Sequence, residues 1–207
     1  MNFKSVIFSL ILTTMFFSSS VFAESTKFDF ADKKGINSML ISLDSELEPI
    51  MGTATGITGY INFDPDNPIN TTAHIKVPAN QIKMTNDRMT KVLHGEDWIN
   101  IEKFPSVEFK ISKIEESNRV GDSRYDLLVV GEFNLKGISR ELSVPINLSY
   151  QPGKLEIRQG GVKGDLIILR TQFTINRKDF KIKPEMGNEK VGEQIDIHVG
   201  IVGAAPK

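Results

Sequence analysis

The sequence predicts an all-β fold, and three observations carry that prediction. Apolar residues alternate with polar ones at a period of two over much of the chain, Gly, Pro, Asn and Asp separate the segments so patterned, and only one stretch changes to helical spacing. The clearest case runs from Tyr125 to Tyr150. Apolar residues fall at Tyr125, Leu127, Val129, Phe133 and Leu135, and after Lys136-Gly137-Ile138-Ser139 the phase switches to Leu142, Val144, Ile146, Leu148 and Tyr150. Period two gives a strand with one apolar and one wet face, and the short Gly-containing connection makes the pair an antiparallel hairpin. A lone hairpin cannot satisfy its edges, so similar strands must surround it.

The chain starts with an address. Lys4 supplies a positive n-region, Val6 to Phe17 an apolar run and Val21-Phe22-Ala23 a small-residue cleavage signature, so a secretory signal peptide over residues 1–23, cut after Ala23, is expected. The apolar run is too short and wrongly flanked for a retained membrane helix, and the mature chain is expected not to span a membrane. Residues 24–207 show no internal repeat, low-complexity linker or composition break, and one domain is expected there. Losing Lys4 leaves 24 basic against 26 acidic side chains, a balance that argues against a nucleic-acid partner. The chain has no cysteine although its destination permits disulfides, which removes any thiolate metal or catalytic site and leaves stability to burial and sheet closure. The expected location is the periplasm, with secretion to the medium as the alternative.

Within the mature chain, Met39, Ile41 and Leu43 alternate first. Ile57, Ile61 and Phe63 follow, ending at the dense turn signal Asp64-Pro65-Asp66-Asn67-Pro68, and Ala73, Ile75 and Val77 come next. From Thr85 to about Asn100 the spacing is helical. Thr85 or Asn86 can cap the start, Asp87 suits the positive end, Met89, Val92 and Leu93 share one stripe, and Gly95 can end it. Such a helix buries its stripe either on the outside of a sheet or over an open barrel end. Alternation resumes at Val107, Phe109 and Ile111, passes through the hairpin, recurs from Leu166 to Ile175, and ends with Ile195, Ile197, Val199 and Ile201. About eight strands at these spacings make a sandwich or a barrel.

Four stretches also resemble one known family. Gly131-Glu132-Phe133-Asn134-Leu135-Lys136-Gly137-Ile138-Ser139, running on to Val144-Pro145, is similar to the "G-x-L-T-L-x-G-V-T" hairpin of YceI-like proteins. Gly59 with Phe63-Asp64 resembles their "G-x-x-x-F-D", and Leu93, Asp97-Trp98, Phe104-Pro105 and Phe109 resemble their "L-x-x-x-D-F-F…Y-P-x-x-x-F". Arg177, Asp179-Phe180, Ile182 and the Val191 to Ile195 segment resemble the closing "R-x-D-F-x-I…V-x-I" block. Together they span nearly the whole mature chain. The resemblance implies a lipocalin-like up-and-down antiparallel β-barrel of about eight strands with a short amphipathic helix. It further implies a long apolar ligand, typically a polyisoprenoid or isoprenoid quinone, held inside for sequestration or transport, and it is compatible with a homodimer. The chain departs from the family pattern at Thr90 and Val92, where many relatives carry Asp and His, at Gly52-Thr53-Ala54 and Ile57-Thr58-Gly59, where they carry Phe, and at Lys181, where they carry Gly. These departures leave a fatty acid or fatty amide as alternative ligands.

On this reading Ile57, Ile61, Phe63, Ile75, Met89, Leu93, Trp98, Phe109, Val129 and Phe133 line the ligand site, with Met84, Met89 and Leu93 forming an adaptable lid or packing on the sheet. The inward faces show branched aliphatic residues, a few Phe and no charge. Each Å² of prenyl surface withdrawn from water is worth about 25 cal/mol, so retention needs no catalytic group. Arg177 and Asp179 either hold a polar or pyrophosphate headgroup at the barrel mouth or form a structural ion pair that closes the barrel end. Trp98 is a core anchor that would touch ligand if it sits at the mouth. No enzyme is expected. His74, His94 and His198 lie far apart without metal-ligand spacing, and there is no G-x-S-x-G elbow or phosphate-binding glycine loop. No cofactor or metal is expected beyond bound lipid, and the competing reading is an exported protein-interaction module whose barrel is filled by its own side chains.

Overall fold

The structure, a computed structural model, describes residues 25–207; the signal peptide expected over residues 1–23 lies outside them. The described residues form β1 (Thr26–Asp29), β2 (Ser38–Ser42), β3 (Met51–Ala54), β4 (Thr58–Phe63), β5 (Thr72–Pro78), β6 (Ile82–Met84), α1 (Asp87–His94), β7 (Ser106–Gly121), β8 (Arg124–Leu135), β9 (Ile138–Gln151), α2 (Leu155–Gln159), β10 (Gly164–Asn176) and β11 (Gln194–Pro206). Every pairing is antiparallel. The order β1-β4-β5-β7-β8-β9-β10-β11 returns from β11 to β1 and closes an eight-stranded barrel. Beyond β11, the strands β2, β3 and β6 add in sequence and extend the wall at one end.

Closure depends on a side chain. The backbone pairing of β1 with β11 consists of the single register pair Asp29 and Ala204. Asn37, buried in the loop between β1 and β2, completes the seam: its Nδ2 donates to Val202 O at 3.1 Å and Phe30 O at 3.0 Å, and its Oδ1 accepts from Val202 N at 2.8 Å. The amide thus stands in for a strand residue where the chain loops out between two segments that both lie on the β11 edge.

The barrel that the family resemblance implies is present, but its eight strands are not quite the eight that alternate. The segment around Met39 to Leu43 is β2, which lies outside the ring, while β1 lies inside it and at four residues is too short to show a period. The strands β3 and β6, of four and three residues, escape notice for the same reason. Strand β7 runs on to Gly121, well past the alternating Val107 to Ile111 stretch, because register shifts after Ile111, Ile114 and Arg119 each break the phase. The β8–β9 turn is the two-residue loop Lys136-Gly137 with φ of 55° and 71°, the primed geometry that suits twisted strands. A Cβ on Gly137 would lie 2.4 Å from the Phe104 ring, so this corner admits glycine alone.

Helix α1 is shorter than the expected Thr85 to Asn100 span. Asn86 caps it, its Oδ1 accepting from Met89 N at 2.8 Å, and Gly95 ends it. Beyond Gly95 the chain turns back on itself, with Asn100 at φ 48°.

Candidate functional site

The inward residues divide the barrel into a filled half and a hollow half. At the end reached by the β4–β5 turn and the C-terminus, Phe63 packs edge-on to Tyr125 with ring centroids 5.2 Å apart and lies 5.9 Å from Tyr150, which Phe28 meets at 6.0 Å. These rings form a plug. Both tyrosines are tethered: Tyr125 Oη donates to Pro65 O at 3.2 Å and Tyr150 Oη to Asp165 Oδ2 at 3.1 Å. Asp165, on the inward face of β10 and almost wholly buried, also accepts from Gly153 N at 2.8 Å and pairs with Lys207 at 2.9 Å. Burial alone would raise its pKa, but the Gly153 amide, Lys207 and Tyr150 outweigh burial and hold it below the usual carboxylate range. Burial first, and the hydrogen bond to Asp165 second, push Tyr150 up to about 12, so it stays a donor.

At the other end the interior is empty. A cavity of about 550 Å³ lies between β2, the β5–β6 segment, α1, Trp98, β8 and the ends of β10 and β11. A second cavity of about 80 Å³ continues deeper, among Ile57, Ile75, Phe109, Ile146, Leu169 and Phe173. The two share Met39, Val77, Val107 and Phe133, which form a waist. The charged or polar residues Glu48, Asn86, Arg88 and Lys190 meet the larger cavity at its mouth, and all four are exposed. Gly131 makes room deeper in: a Cβ there would lie 2.6 Å from the Phe109 ring.

Met84, Met89, Leu93, Trp98, Phe133 and Arg177 line the large chamber. Ile57, Ile75, Phe109 and Phe133 line the deep one. Ile61, Phe63 and Val129 are buried in the filled core and line neither, Phe63 as part of the plug. Asp179 is exposed on the short turn Arg177–Phe180. Residues that the sequence did not single out for the site, Met39, Ile41, Ile82, Val107 and Ile197 among them, also line it. Ile82, in a three-residue strand, gave no signal, and that of the others was strand alternation, which gives a face and not a depth.

The expectation of an interior without charge is corrected at Asp165 and again at Arg177, both fully or almost fully buried. Nor does Arg177 pair with Asp179. Its Nε donates to Gly192 O at 2.9 Å, its Nη1 to Ile182 O at 3.0 Å and to Lys183 O, and its Nη2 to Val191 O at 3.2 Å and to Met186 O. Five donors meet five carbonyls, so the guanidinium gathers the Ile182 to Gly192 loop beneath the mouth and has no N–H left over.

Of the two placements open to the helix, α1 takes the one over the barrel end, where Met89, Val92 and Leu93 face the large chamber. It is stitched to the outer edge of β6. Thr90 Oγ1 accepts from Met84 N at 3.0 Å and donates to Asn86 O at 3.1 Å, and His94 Nε2 donates to Ile82 O at 2.7 Å. The helix therefore covers an edge that would otherwise be unpaired.

The histidines do not converge. His74 lies 2.9 Å from Glu108 on the outer face of β5 and β7, where Lys76 and the Ser106 hydroxyl also meet that carboxylate. The Ser106 hydrogen bond, then those of Lys76 and His74, outweigh burial and bring Glu108 down to about 2. Among the described residues no group of three or more His, Asp or Glu is placed to hold a metal ion, and no helix is long and apolar enough to cross a membrane.

Comparison with known proteins agrees with this architecture. The YceI-like domain model matches residues 22–202. A UPF0312 protein of Shewanella denitrificans is 21% identical over 150 residues, 72% of this chain and 73% of that protein. A UPF0312 protein of Yersinia pestis is 22% identical over 158 residues, 76% of this chain and 75% of that one. Among solved structures, BcnA of Burkholderia cenocepacia superposes with a TM-score of 0.62 at 18% identity, covering 80% of this chain and 95% of that one. A polyisoprenoid binding domain from Saccharophagus degradans, implicated in plant cell wall breakdown, gives 0.62 at 8% identity, covering 88% and 100%.

Proposed function

The chain belongs to the YceI-like domain family, and from that premise we propose that it is an exported carrier holding a long-chain isoprenoid lipid in the hollow half of its barrel, for sequestration or transport, without catalysis. The observation that carries this reading is the apolar chamber of about 550 Å³, open at one end and continued by a deeper one. Its volume is that of a ligand site and not of a packing defect. A prenyl chain enclosed there gains about 25 cal/mol per Å² of apolar surface removed from water, and the polar groups at the mouth leave a headgroup solvated. The naming of the Saccharophagus degradans domain as polyisoprenoid binding supports the ligand class. A barrel filled by its own side chains finds no support in an interior with this much space.

Native mass spectrometry of residues 24–207 purified from the exported fraction, followed by organic extraction, tests the reading. A stoichiometric isoprenoid adduct is expected. An apo mass that also resists loading with isoprenoid quinones and prenols would overturn it, and an adduct identified as fatty acid or fatty amide would overturn the ligand class alone.

A further inference from the structure

The hollow half is a blind pocket with a built floor. Below the waist of Met39, Val77, Val107 and Phe133 lies the 80 Å³ chamber, and past its Val144 and Ile146 wall the buried side chains of Leu127, Leu148 and Tyr125 fill the barrel. A floor of untethered aliphatic side chains would yield to a longer ligand by changing rotamers. Here Tyr125 is tied to Pro65 and Tyr150 to the buried Asp165, which is itself held by Gly153 and Lys207. Moving either ring would break the hydrogen bond of its partly buried hydroxyl. The exposed polar residues Glu48, Asn86, Arg88 and Lys190 all stand at the opposite end, so an amphipathic ligand seats tail first.

Resting on the carrier reading above, we infer that the barrel is a chain-length gauge, in which affinity rises with each isoprene unit until the tail meets the floor and then levels off. At about 30 Å³ for each water-sized group in a dense liquid, the two chambers hold about 20 heavy atoms, a chain of about four isoprene units. Carbons beyond that number stay in water and add nothing to the transfer energy. The residues that set the limit are Ile57 and Phe109, which line the deep chamber and not the large one. Substituting them alters depth and leaves the mouth untouched.

The chain's single tryptophan, Trp98, lines the large chamber and reports occupancy through its fluorescence. Titration with geraniol, farnesol, geranylgeraniol and geranylfarnesol, each below its self-association limit, is to be run on the wild type, on Ile57→Phe and on Phe109→Leu, with circular dichroism checking that each barrel is folded. In the wild type the step from farnesol to geranylgeraniol is expected to tighten binding by at least about tenfold, and the step to geranylfarnesol by less than about threefold. Ile57→Phe moves the plateau one unit shorter and Phe109→Leu moves it longer, so either variant alone tests the gauge. An undiminished gain at geranylfarnesol in the wild type, or plateaus unmoved in the folded variants, overturns the gauge and leaves the carrier reading standing. If no prenol changes Trp98 fluorescence and none is retained in native mass spectra, both fall.

Discussion

Arg177 holds five main-chain carbonyls against the mouth end of the barrel with a fully buried guanidinium. Lysine offers three donors from a single point and cannot span that set, so Arg177→Lys strands at least two of these carbonyls. A loss on the order of 3 kcal/mol is expected in urea unfolding. A loss below about 1 kcal/mol would show that the loop finds other partners. Glu108 makes a pH-dependent contribution whose sign follows from its pKa, brought from 4.5 to about 2 in the fold. Folding favours the ionised form, so the contribution is complete above the ordinary carboxylate range and is lost as pH falls through about 2. The urea midpoint of Glu108→Gln should therefore fall less than that of the wild type between neutral pH and about pH 3. Parallel curves would deny Glu108 the role. From sequence, Arg177 was visible as a residue of the closing block, but its partners were not, since main-chain carbonyls leave no mark on composition.

Helix α1 could be read from Asn86, the Met89, Val92, Leu93 stripe and Gly95, yet its seat over the chamber could not, because an amphipathic stripe names a face to bury and not the surface that buries it. What fixes the seat is the pair of side-chain bonds to β6. Thr90→Val keeps the shape and removes the hydroxyl that bonds Met84 and Asn86. Amide exchange across residues 84–93 is expected to accelerate by about tenfold while the β8–β9 hairpin stays protected. Unchanged exchange in α1 would mean that His94 alone secures it. Among the strands, those long enough to alternate were legible and those of three or four residues were not. The Asn37 amide that completes the β1–β11 seam was equally hidden, being one polar residue in a polar loop.

Across the whole molecule, the aromatic plug with its packed core and the proposed ligand chamber occupy opposite halves of one barrel. Ile61 is packed in the filled half and lines neither chamber, so Ile61→Ala is expected to cost about 2–5 kcal/mol in unfolding while the retained lipid keeps its identity. A changed lipid profile in the folded variant would place Ile61 at the ligand after all. On the carrier proposal, ligand in the hollow half binds the native state alone. At one hundred times its dissociation constant it should raise unfolding stability by about 2.7 kcal/mol, which delipidation followed by thermal scans in the presence and absence of added prenol would measure.

By itself, the order of residues determined that this is an all-β chain, where its long strands run, that the β8–β9 corner is a glycine turn and that one short amphipathic helix interrupts the sheet. Those features are local, and period, cap and turn chemistry record them directly. Only the tertiary structure decided which strands close the ring, that Phe63 belongs to a plug and Ile61 to the filled core while Ile57 and Phe133 face open space, and that Arg177 is a buried structural cation. Inward positions along a strand look alike in sequence. Whether such a position meets another side chain or a void depends on what the opposite wall places at the same depth, and closure of the barrel alone sets that.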